Sequence, residues 1–327
     1  MTLEICAEMS ANHLGSFDRA MRIVEAAAEA GAQLLKVQVW EPDTMCLDRE
    51  YTLDSGPWKG RKLFDLYREA WTPWDWLPRI FERARELGME PFGAAFDKAS
   101  VDYLESLHVK RHKVASFELT DLPLIRYMAS KDRPMLLSTG MASIQEIDTA
   151  MAAARWPSRA VTLLKCTSSY PADASYANLH TYARNQWVAR AGWGLSDHTQ
   201  GIGVAVAAAV LGAVYIEKHL TLSRSDGGPD AGFSMEPAEF KQLVIECRRA
   251  AASVGEVRYG PTAGENTTLR RGLWLTRDVE QGEFLELGVN VATARPHLGL
   301  PASFDPRGRR ATKALTKHTP LHAEDVA

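Results

Sequence analysis

The feature that most constrains the fold is a regular alternation between apolar β-prone runs and segments of helical periodicity. The predicted strands cover 3–7, 33–39, 89–96, 112–116, 134–139, 161–167, 193–196 and 214–220. Each is followed by apolar residues at helical spacing, the sixth time near 178–190. After the second strand a long loop, 40–72, is predicted before the helix, and loops of this length are often functional lids. Eight such units in roughly 250 residues predict a (β/α)8 barrel of the TIM type, because parallel strands need crossover helices. A doubly wound open sheet is the alternative, but no G-x-G-x-x-G turn follows the first strand.

The pattern changes near residue 255 and divides the chain into predicted domains. Residues 1–255 form the barrel, and 256–268 contain Gly, Pro and an Asn-Thr-Thr run typical of a linker. Residues 269–327 show short β-prone runs separated by turn residues. A domain this small buries little surface alone, so we expect it to pack on a barrel, its own or a partner's.

Composition and charge exclude several classes of function. Lys and Arg number 38 against 41 Asp and Glu, a net charge of -3, so no overall basic field attracts nucleic acid or an anionic membrane. The N-terminal segment lacks a signal-peptide pattern, and no apolar run reaches the roughly 18 residues of a membrane span. We therefore expect a cytoplasmic protein. The four cysteines lie far apart and predict reduced side chains: Cys6, Cys46, Cys166 and Cys247.

Polar side chains gather where the predicted strands end, which is where barrels place their active sites. Lys36 and Gln38 are two residues apart and share one face of strand 2, and Lys113 lies on strand 4. A lone strand lysine is usually a salt-bridge partner, and a lone hydroxyl at a strand end is usually a helix cap. Two lysines and several hydroxyls at one barrel mouth instead indicate a site for a small anion, such as a phosphorylated molecule.

Two histidines end the last two strands of the barrel. His198 and His219 belong to adjacent strands, so their rings can approach one point. Two imidazoles near carboxylates suit a divalent transition ion such as Mn²⁺, Co²⁺ or Zn²⁺. The alternative is two histidines with separate hydrogen bonds and no metal.

Seven motifs in order along the chain resemble the sialic acid synthase family. They are AEMSANH (7–13), LLKVQVW (34–40), HKVASFEL (112–119), LSTGMAS (137–143), LLKCTSSYPA (163–172), GLSDHTQGIGVAVAAAVLGA (194–213) and IEKHLTLSRSDGGPDAGFSMEP (216–237). The resemblance implies condensation of phosphoenolpyruvate with an amino-sugar aldehyde to a nine-carbon nonulosonate and phosphate. The tail 294–304 resembles the family's antifreeze-like, or SAF, domain. The loops 57–76 and 223–237 resemble pseudaminic acid synthases most, whose acceptor is a 2,4-diacetamido-2,4,6-trideoxyhexose of altrose type.

The resemblance also implies roles for individual residues. Phosphoenolpyruvate would be bound by Lys36, Lys113, Ser116, Ser138, Ser168 and Ser196. The sugar would be positioned by Glu8, Gln38, Tyr170, Asp230 and, from the partner subunit, Arg295. Glu118, Tyr170 and Glu8 would be catalytic, with Glu118 the best candidate for proton transfer. His198 and His219 would bind the metal, Mn²⁺ first and Mg²⁺ or Co²⁺ as alternatives. The implied assembly is a homodimer in which the SAF domains are exchanged.

The chain departs from the family pattern at two places. Strand 3 ends in FGAAFD, where the family has a hydroxyl-bearing FSTPFD-like stretch that is expected to bind phosphate. Losing that bond would weaken phosphoenolpyruvate by about 1.5–3 kcal/mol unless water or a backbone N–H replaces it. His297 stands at a usual glycine and alters how Arg295 is presented.

Three other functions remain open at this point. An N-acetylneuraminate or legionaminate synthase would use a different amino sugar. A Schiff-base aldolase would use Lys113 or Lys36 as the nucleophile. A non-catalytic sugar-binding protein on a degenerate barrel is supported by the FGAAFD stretch alone.

Overall fold

The chain folds around a closed barrel of eight parallel strands, as the alternation predicts. The structure is a computed structural model that describes residues 3–158, 160–183 and 191–327. The barrel strands are β1 Glu4–Glu8, β2 Leu34–Val39, β3 Glu90–Ala95, β4 His112–Val114, β5 Met135–Ser138, β6 Val161–Cys166, β7 Trp193–Ser196 and β8 Tyr215–His219. They pair in sequence order, and β8 closes on β1. The open-sheet alternative is therefore wrong.

Helices surround the barrel between successive strands. They are α1 Phe17–Glu29, α2 Pro42–Met45, α3 Leu63–Ala70, α4 Leu77–Glu86, α5 Lys98–Ser106, α6 Leu122–Ser130, α7 Ile144–Ala153, α8 His180–Ala183, α9 Gly203–Val210 and α10 Pro237–Ser253. Of the predicted sixth helix near 178–190, residues 184–190 lie outside the described part of the chain. No helix within the described ranges is long and apolar enough to cross a membrane.

Local sequence explains how these helices start and which face they bury. In α1 the Ser16 hydroxyl accepts a hydrogen bond from the Arg19 backbone N–H, a cap that contributes about 0.5–2 kcal/mol. Ala20, Ile23, Val24 and Ala27 follow at helical spacing and are buried against the barrel. The same combination of cap and apolar stripe recurs in α5, where Asp97 and Ser100 form a reciprocal capping box.

The strand register places the polar strand ends at one level. Glu8 lies opposite Lys36 on β2 and opposite His219 on β8, so these side chains share one level of the barrel mouth. Alternation along β8 sends Glu217 and His219 to the same face and Lys218 to the other. Lys218 accordingly pairs on the outer face with Asp197, whose carboxylate lies 2.8 Å away.

The chain divides into two compact units, Met1–Gly255 and Glu256–Ala327. The second unit contains the antiparallel pair β9 Gly272–Leu275 and β10 Val291–Ala294. Its own apolar core is formed by Leu273, Leu275, Val279, Leu285, Val291, Ala311, Leu315 and Leu321. The linker 256–268 and the SAF assignment of the residues after it stay predictions.

Candidate active site

A cavity of about 430 Å³ opens at the carboxyl ends of the barrel strands. Most of the residues that the sequence predicts for the site line it: Lys36, Gln38, Lys113, Ser116, Glu118, Ser138, Tyr170, Ser196, His198, His219 and Asp230. They come from six of the eight strands or from the loops that follow them. This convergence is the expected result of parallel strands that all end at one rim.

Buried charge is concentrated at the floor of the cavity. The Lys36 ammonium lies 2.7 Å from a Glu8 carboxylate oxygen and 3.3 Å from one of Glu217. Burial disfavours the charged form of Lys36, but Glu217 and Glu8 together raise its pKa above the usual value. Burial also opposes ionisation of Glu217, whereas Lys113 and Lys36 lower its pKa to about 2. Lys36 and Glu217 therefore remain an ion pair at neutral pH.

The serine hydroxyls of the site differ in whether they have a hydrogen-bond partner within the described chain. The Ser138 hydroxyl is buried and has no hydrogen-bond partner within the described chain. Ser116 and Ser168 instead share a hydrogen bond of 2.7 Å, and Ser196 donates to Glu217 at 3.2 Å. An unpartnered buried hydroxyl costs free energy unless a ligand completes it, so Ser138 points to a bound acceptor of hydrogen bonds.

Gly140 makes room for the serine pair and was not assigned a role from the sequence. Its φ of +41° is a value that side chains rarely allow. A Cβ there would lie 2.5 Å from the Ser116 Cβ and 2.6 Å from the Ser168 hydroxyl oxygen. The glycine in LSTGMAS thus permits the close approach of two loops, which no single-sequence pattern reveals.

Two carboxylic acids have pKa values near neutrality. Burial raises the pKa of Glu118 to about 7, although the nearby Lys113 acts in the opposite direction. Glu118 lines the cavity, and one of its oxygens is buried without a hydrogen-bond partner in the described residues. Burial likewise raises the pKa of Glu8 to about 7 against the effect of Lys36. A carboxyl group that titrates near pH 7 is suited to proton transfer.

The two histidines lie side by side on the rim. Their ring centroids are 5.4 Å apart. His198 Nδ1 donates to the Thr167 carbonyl at 3.0 Å, which leaves Nε2 with its lone pair. His219 Nδ1 is buried without a partner in the described part of the chain, and burial lowers the pKa of this histidine far below its usual value. Burial acts to lower the pKa of His198 as well, but the Cys166 thiol beside its ring raises that pKa above its usual value. A ring nitrogen that has lost its proton and has no hydrogen-bond partner is able to bind a metal.

Two of the predicted sugar ligands, Gln38 and Asp230, are joined through Ser10 in a hydrogen-bond network that we call the sugar network. Gln38 donates to the Ser10 hydroxyl at 3.2 Å, and Ser10 in turn donates to the Asp230 carboxylate. The Ala11 backbone N–H also donates to Asp230, at 3.3 Å. Tyr170 stacks obliquely on His198, with ring centroids 4.4 Å apart. Ser10 belongs to a 3₁₀ turn after β1, so only the folded chain brings it to this network.

Some predicted residues lie elsewhere. Glu8 is fully buried and pairs with Lys36, and the Ser168 hydroxyl is hydrogen-bonded to that of Ser116; neither Glu8 nor Ser168 is part of the cavity lining. Arg295 follows β10 in the second unit and is exposed, so its predicted contact with a partner's sugar stays a prediction. Glu217 lines the cavity and pairs with Lys36, but it received no role from the sequence. Its spacing of two from His219 could have indicated that both side chains lie on the same face of β8.

Strand β3 leaves a gap in the ring of hydroxyls, as the FGAAFD stretch predicts. A Cβ on Gly93 would contact Leu104 at 2.8 Å, on the side of the helices rather than the barrel interior. Ala94 is paired with Gln38 and Lys113 and carries no donor. Anion binding on this side depends on the neighbouring strands.

The chain was also compared with known proteins. The profile of the NeuB family matches residues 23–259, which is most of the chain. The chain belongs to the NeuB family. This confirms the resemblance on which the residue roles were based.

Individual NeuB relatives extend the match to nearly the full length. The pseudaminic acid synthase of Helicobacter pylori is 35% identical, with 99% of this chain and 97% of the relative covered. The N,N'-diacetyllegionaminic acid synthase of Legionella pneumophila is also 35% identical, with 93% and 88% covered. The crystal structure of the N-acetylneuraminic acid synthetase of Leptospira borgpetersenii in complex with citrate is 29% identical with a TM-score of 0.73, and 80% of this chain and 88% of that chain are covered. These NeuB relatives are named for different products, so membership of the family does not identify the sugar.

Proposed function

We propose that this chain condenses phosphoenolpyruvate with a 2,4-diacetamido-2,4,6-trideoxyhexose of altrose type, giving pseudaminic acid and phosphate. The observation that carries the proposal is the buried floor, where Lys36, Lys113 and the unpartnered Ser138 hydroxyl meet beside two histidines. The full-length similarity to pseudaminic acid synthases supports the choice of sugar. Because the legionaminic acid synthase is equally identical over a slightly shorter span, legionaminate synthesis is the principal alternative.

Binding of phosphoenolpyruvate would use the charges already present. Lys36 and Lys113 would hold the carboxylate and phosphoryl oxygens, with Ser138 and the Ser116–Ser168 pair as hydroxyl donors. Charged groups in a water-poor site interact more strongly than in bulk water, so the floor would stabilise the negative charge of departing phosphate. Glu217 would keep Lys36 in place during this step.

A divalent ion of the Mn²⁺ type fits the histidine pair. The unpartnered His219 nitrogen and the free Nε2 of His198 are the donors that such an ion requires. Together these two residues would hold it, and it would supply a Lewis acid for the acceptor's carbonyl group. No group of three His, Cys, Asp or Glu residues suitable for a metal occurs among the described residues, so the other ligands would be water or substrate.

The remaining steps would fall to side chains of the chain itself. Carbon C3 of phosphoenolpyruvate forms the new bond to the aldehyde carbon, whose oxygen takes up a proton and becomes a hydroxyl, and the cationic C2 that results is attacked by water. The C2–O bond to the phosphoryl group then breaks, so that phosphate leaves with the bridging oxygen and C2 becomes the ketone. Glu118 would accept the proton of that water, since its pKa of about 7 allows it to be ionised and still basic. Gln38, Tyr170 and Asp230 would orient the sugar, and Glu8 would set the position of Lys36.

We also propose that residues 269–327 are a SAF domain and that the chain is a cytoplasmic homodimer. In that dimer each SAF domain would cover the partner's barrel and present Arg295 to the sugar. Replacing Arg295 with Ala would then raise the KM for the sugar while leaving the KM for phosphoenolpyruvate unchanged.

The test of the proposed function is an acceptor panel with purified protein, Mn²⁺ and phosphoenolpyruvate. Phosphate release is measured with 2-acetamido and 2,4-diacetamido hexoses of altro and manno configuration. The proposal predicts the highest kcat/KM for the diacetamido-altrose. Preference for another amino sugar would assign the alternative product, and no release with any acceptor would refute nonulosonate synthesis.

A further inference from the structure

One side of the cavity is apolar, in contrast to its charged floor. The connection between β2 and α4 contributes nine of the lining residues, three of which are Trp40, Tyr67 and Ala70. The other six are the ones that we call the outer wall: Met45, Tyr51, Leu53, Trp58, Leu63 and Leu66. A small hairpin holds part of the wall in place. Within it Leu53 donates to the Arg61 carbonyl at 3.0 Å, and Gly60 donates to the Leu53 carbonyl at 2.8 Å. The segment predicted as a long loop is therefore an ordered part of the site.

The outer wall contributes no cation to the cavity. The lysines among the described lining residues are Lys36 and Lys113, both on barrel strands at the floor. The hairpin has three basic residues, none of which lines the cavity: Arg61 pairs with Glu69, Lys62 pairs with Glu50 at 2.8 Å, and Lys59 is exposed. A substrate phosphate next to this wall would be desolvated without a counter-charge, which is strongly unfavourable.

Trp58 is the residue that joins the wall to the sugar network. Its indole N–H donates to the Pro229 carbonyl at 2.8 Å, next to Asp230 in the chain. Its ring centroid lies 5.4 Å from that of Tyr170 and 6.2 Å from that of Phe233. Trp58 thus presents an aromatic surface beside the residues proposed to orient the sugar.

The direction of the acceptor follows from the reaction, so this step rests on the proposed function. C1 of the open-chain sugar reacts at the floor, where phosphoenolpyruvate lies between the lysines. C6 is the carbon farthest from C1 and therefore faces away from the floor, towards the outer wall. We propose that Trp58 and the outer wall determine specificity for the C6 substituent, and that they select a methyl group over a hydroxymethyl or phosphorylated one.

The test compares acceptors that differ only at C6. The kcat/KM for phosphate release is measured with the 6-deoxy, 6-hydroxy and 6-phosphate forms of one 2,4-diacetamido hexose. An apolar pocket distinguishes groups of this size by about 10- to 200-fold, so we expect the 6-deoxy form to be preferred by that factor and the phosphate to be rejected. Trp58→Ala should reduce the preference about tenfold, mainly by loss of activity on the 6-deoxy form.

Three further variants test whether the preference depends on the aromatic ring of Trp58, on its bond to Pro229 or on the outer wall as a whole. Trp58→Phe keeps an aromatic ring but loses the bond to Pro229, and it should retain most of the preference. Leu53→Ala removes another part of the wall and should reduce the preference even if Trp58→Ala does not fold. Leu47→Ala is the matched control, because Leu47 is on the same segment, 86% exposed and outside the cavity lining. It should behave as the parent protein.

The outcomes distinguish this inference from the proposed function. Equal kcat/KM for the 6-deoxy and 6-hydroxy forms, or good turnover of the phosphate, would overturn the inference while nonulosonate synthesis still stands. An unchanged preference in both Trp58→Ala and Leu53→Ala would also overturn it. If no form releases phosphate, the proposed function itself fails and the inference fails with it.

Discussion

Replacing Ser138 with Ala should affect stability and substrate binding in opposite directions. The hydroxyl is 1% exposed and makes no hydrogen bond within the described chain. Its removal therefore breaks no bond of the free protein, and the free energy of unfolding should stay constant or rise by up to about 1 kcal/mol. Bound phosphoenolpyruvate would lose one hydrogen bond to a charged oxygen, about 1.5–3 kcal/mol. The KM for phosphoenolpyruvate should then rise about 10- to 150-fold.

The neighbouring hydroxyl provides a matched control for this substitution. Thr139 donates to the Leu164 carbonyl at 3.1 Å and accepts from the Tyr182 hydroxyl at 2.6 Å. Thr139→Val should lower the free energy of unfolding by about 1–3 kcal/mol and leave the KM unchanged. Urea denaturation and steady-state kinetics measure both quantities. If Ser138→Ala lowers stability by more than 1 kcal/mol without changing the KM, Ser138 is structural and the reasoning about the anion site is refuted.

Three further perturbations test other parts of the site. Because burial raises the pKa of Glu118 to about 7, kcat/KM should increase with pH up to about that value and then level off. Glu118→Gln should lower kcat by about 10²- to 10⁴-fold. A kcat/KM that does not change with pH in the parent protein would argue against Glu118 as the base. Chelation with EDTA should abolish phosphate release, and Mn²⁺ should restore it in the parent but not in His219→Ala; full activity of the chelated protein would contradict the metal proposal. Asp197→Asn should lower the free energy of unfolding, measured by urea denaturation, by about 3–5 kcal/mol, since it leaves the buried Lys218 ammonium without its carboxylate. Asp197→Leu combined with Lys218→Met should cost less, because no buried charge remains. If the loss in the double variant equals the sum of the losses in the two single variants, the two residues do not stabilise the fold as a pair.

The barrel could be predicted because its pattern is local and repeated. Strands such as Leu34–Val39 are short and mostly apolar, and helices such as α1 and α5 have their own periodicity and N-terminal cap. The segment 40–72 was harder, since α3 is only Leu63–Ala70 and owes its stability to the burial of Phe64 and Leu66. Short helices depend on tertiary packing more than on propensity, so the sequence indicated a loop there.

The site was predictable where strand ends alone decide which residues meet. Lys36, Lys113 and the two histidines converge because all eight strands run in one direction. Glu8 shows the limit: the family resemblance implied contact with the sugar, whereas in the structure its carboxylate pairs with the Lys36 ammonium at 2.7 Å and does not line the cavity. Which strand-end side chain is covered by its neighbour depends on packing between strands and is not encoded in spacing.

Groups contributed by separate loops were the least predictable. The hydrogen bond from Ser10 to Asp230 joins residues 220 positions apart in the sequence, and the bond from the Trp58 N–H to the Pro229 carbonyl joins residues 171 positions apart. Neither contact has a sequence period or a motif of its own. Such contacts follow only after the barrel has fixed the positions from which the loops start.

The proposed reaction forms a carbon–carbon bond and cleaves the C–O bond of phosphoenolpyruvate. The most direct measurement uses phosphoenolpyruvate labelled with ¹⁸O at the bridging oxygen, together with Mn²⁺ and the diacetamido-altrose, and mass spectrometry of both products. We expect one phosphate per nine-carbon product, with the label in the phosphate. Label retained in the nonulosonate, or borohydride trapping of the sugar on Lys113 without phosphate release, would contradict it.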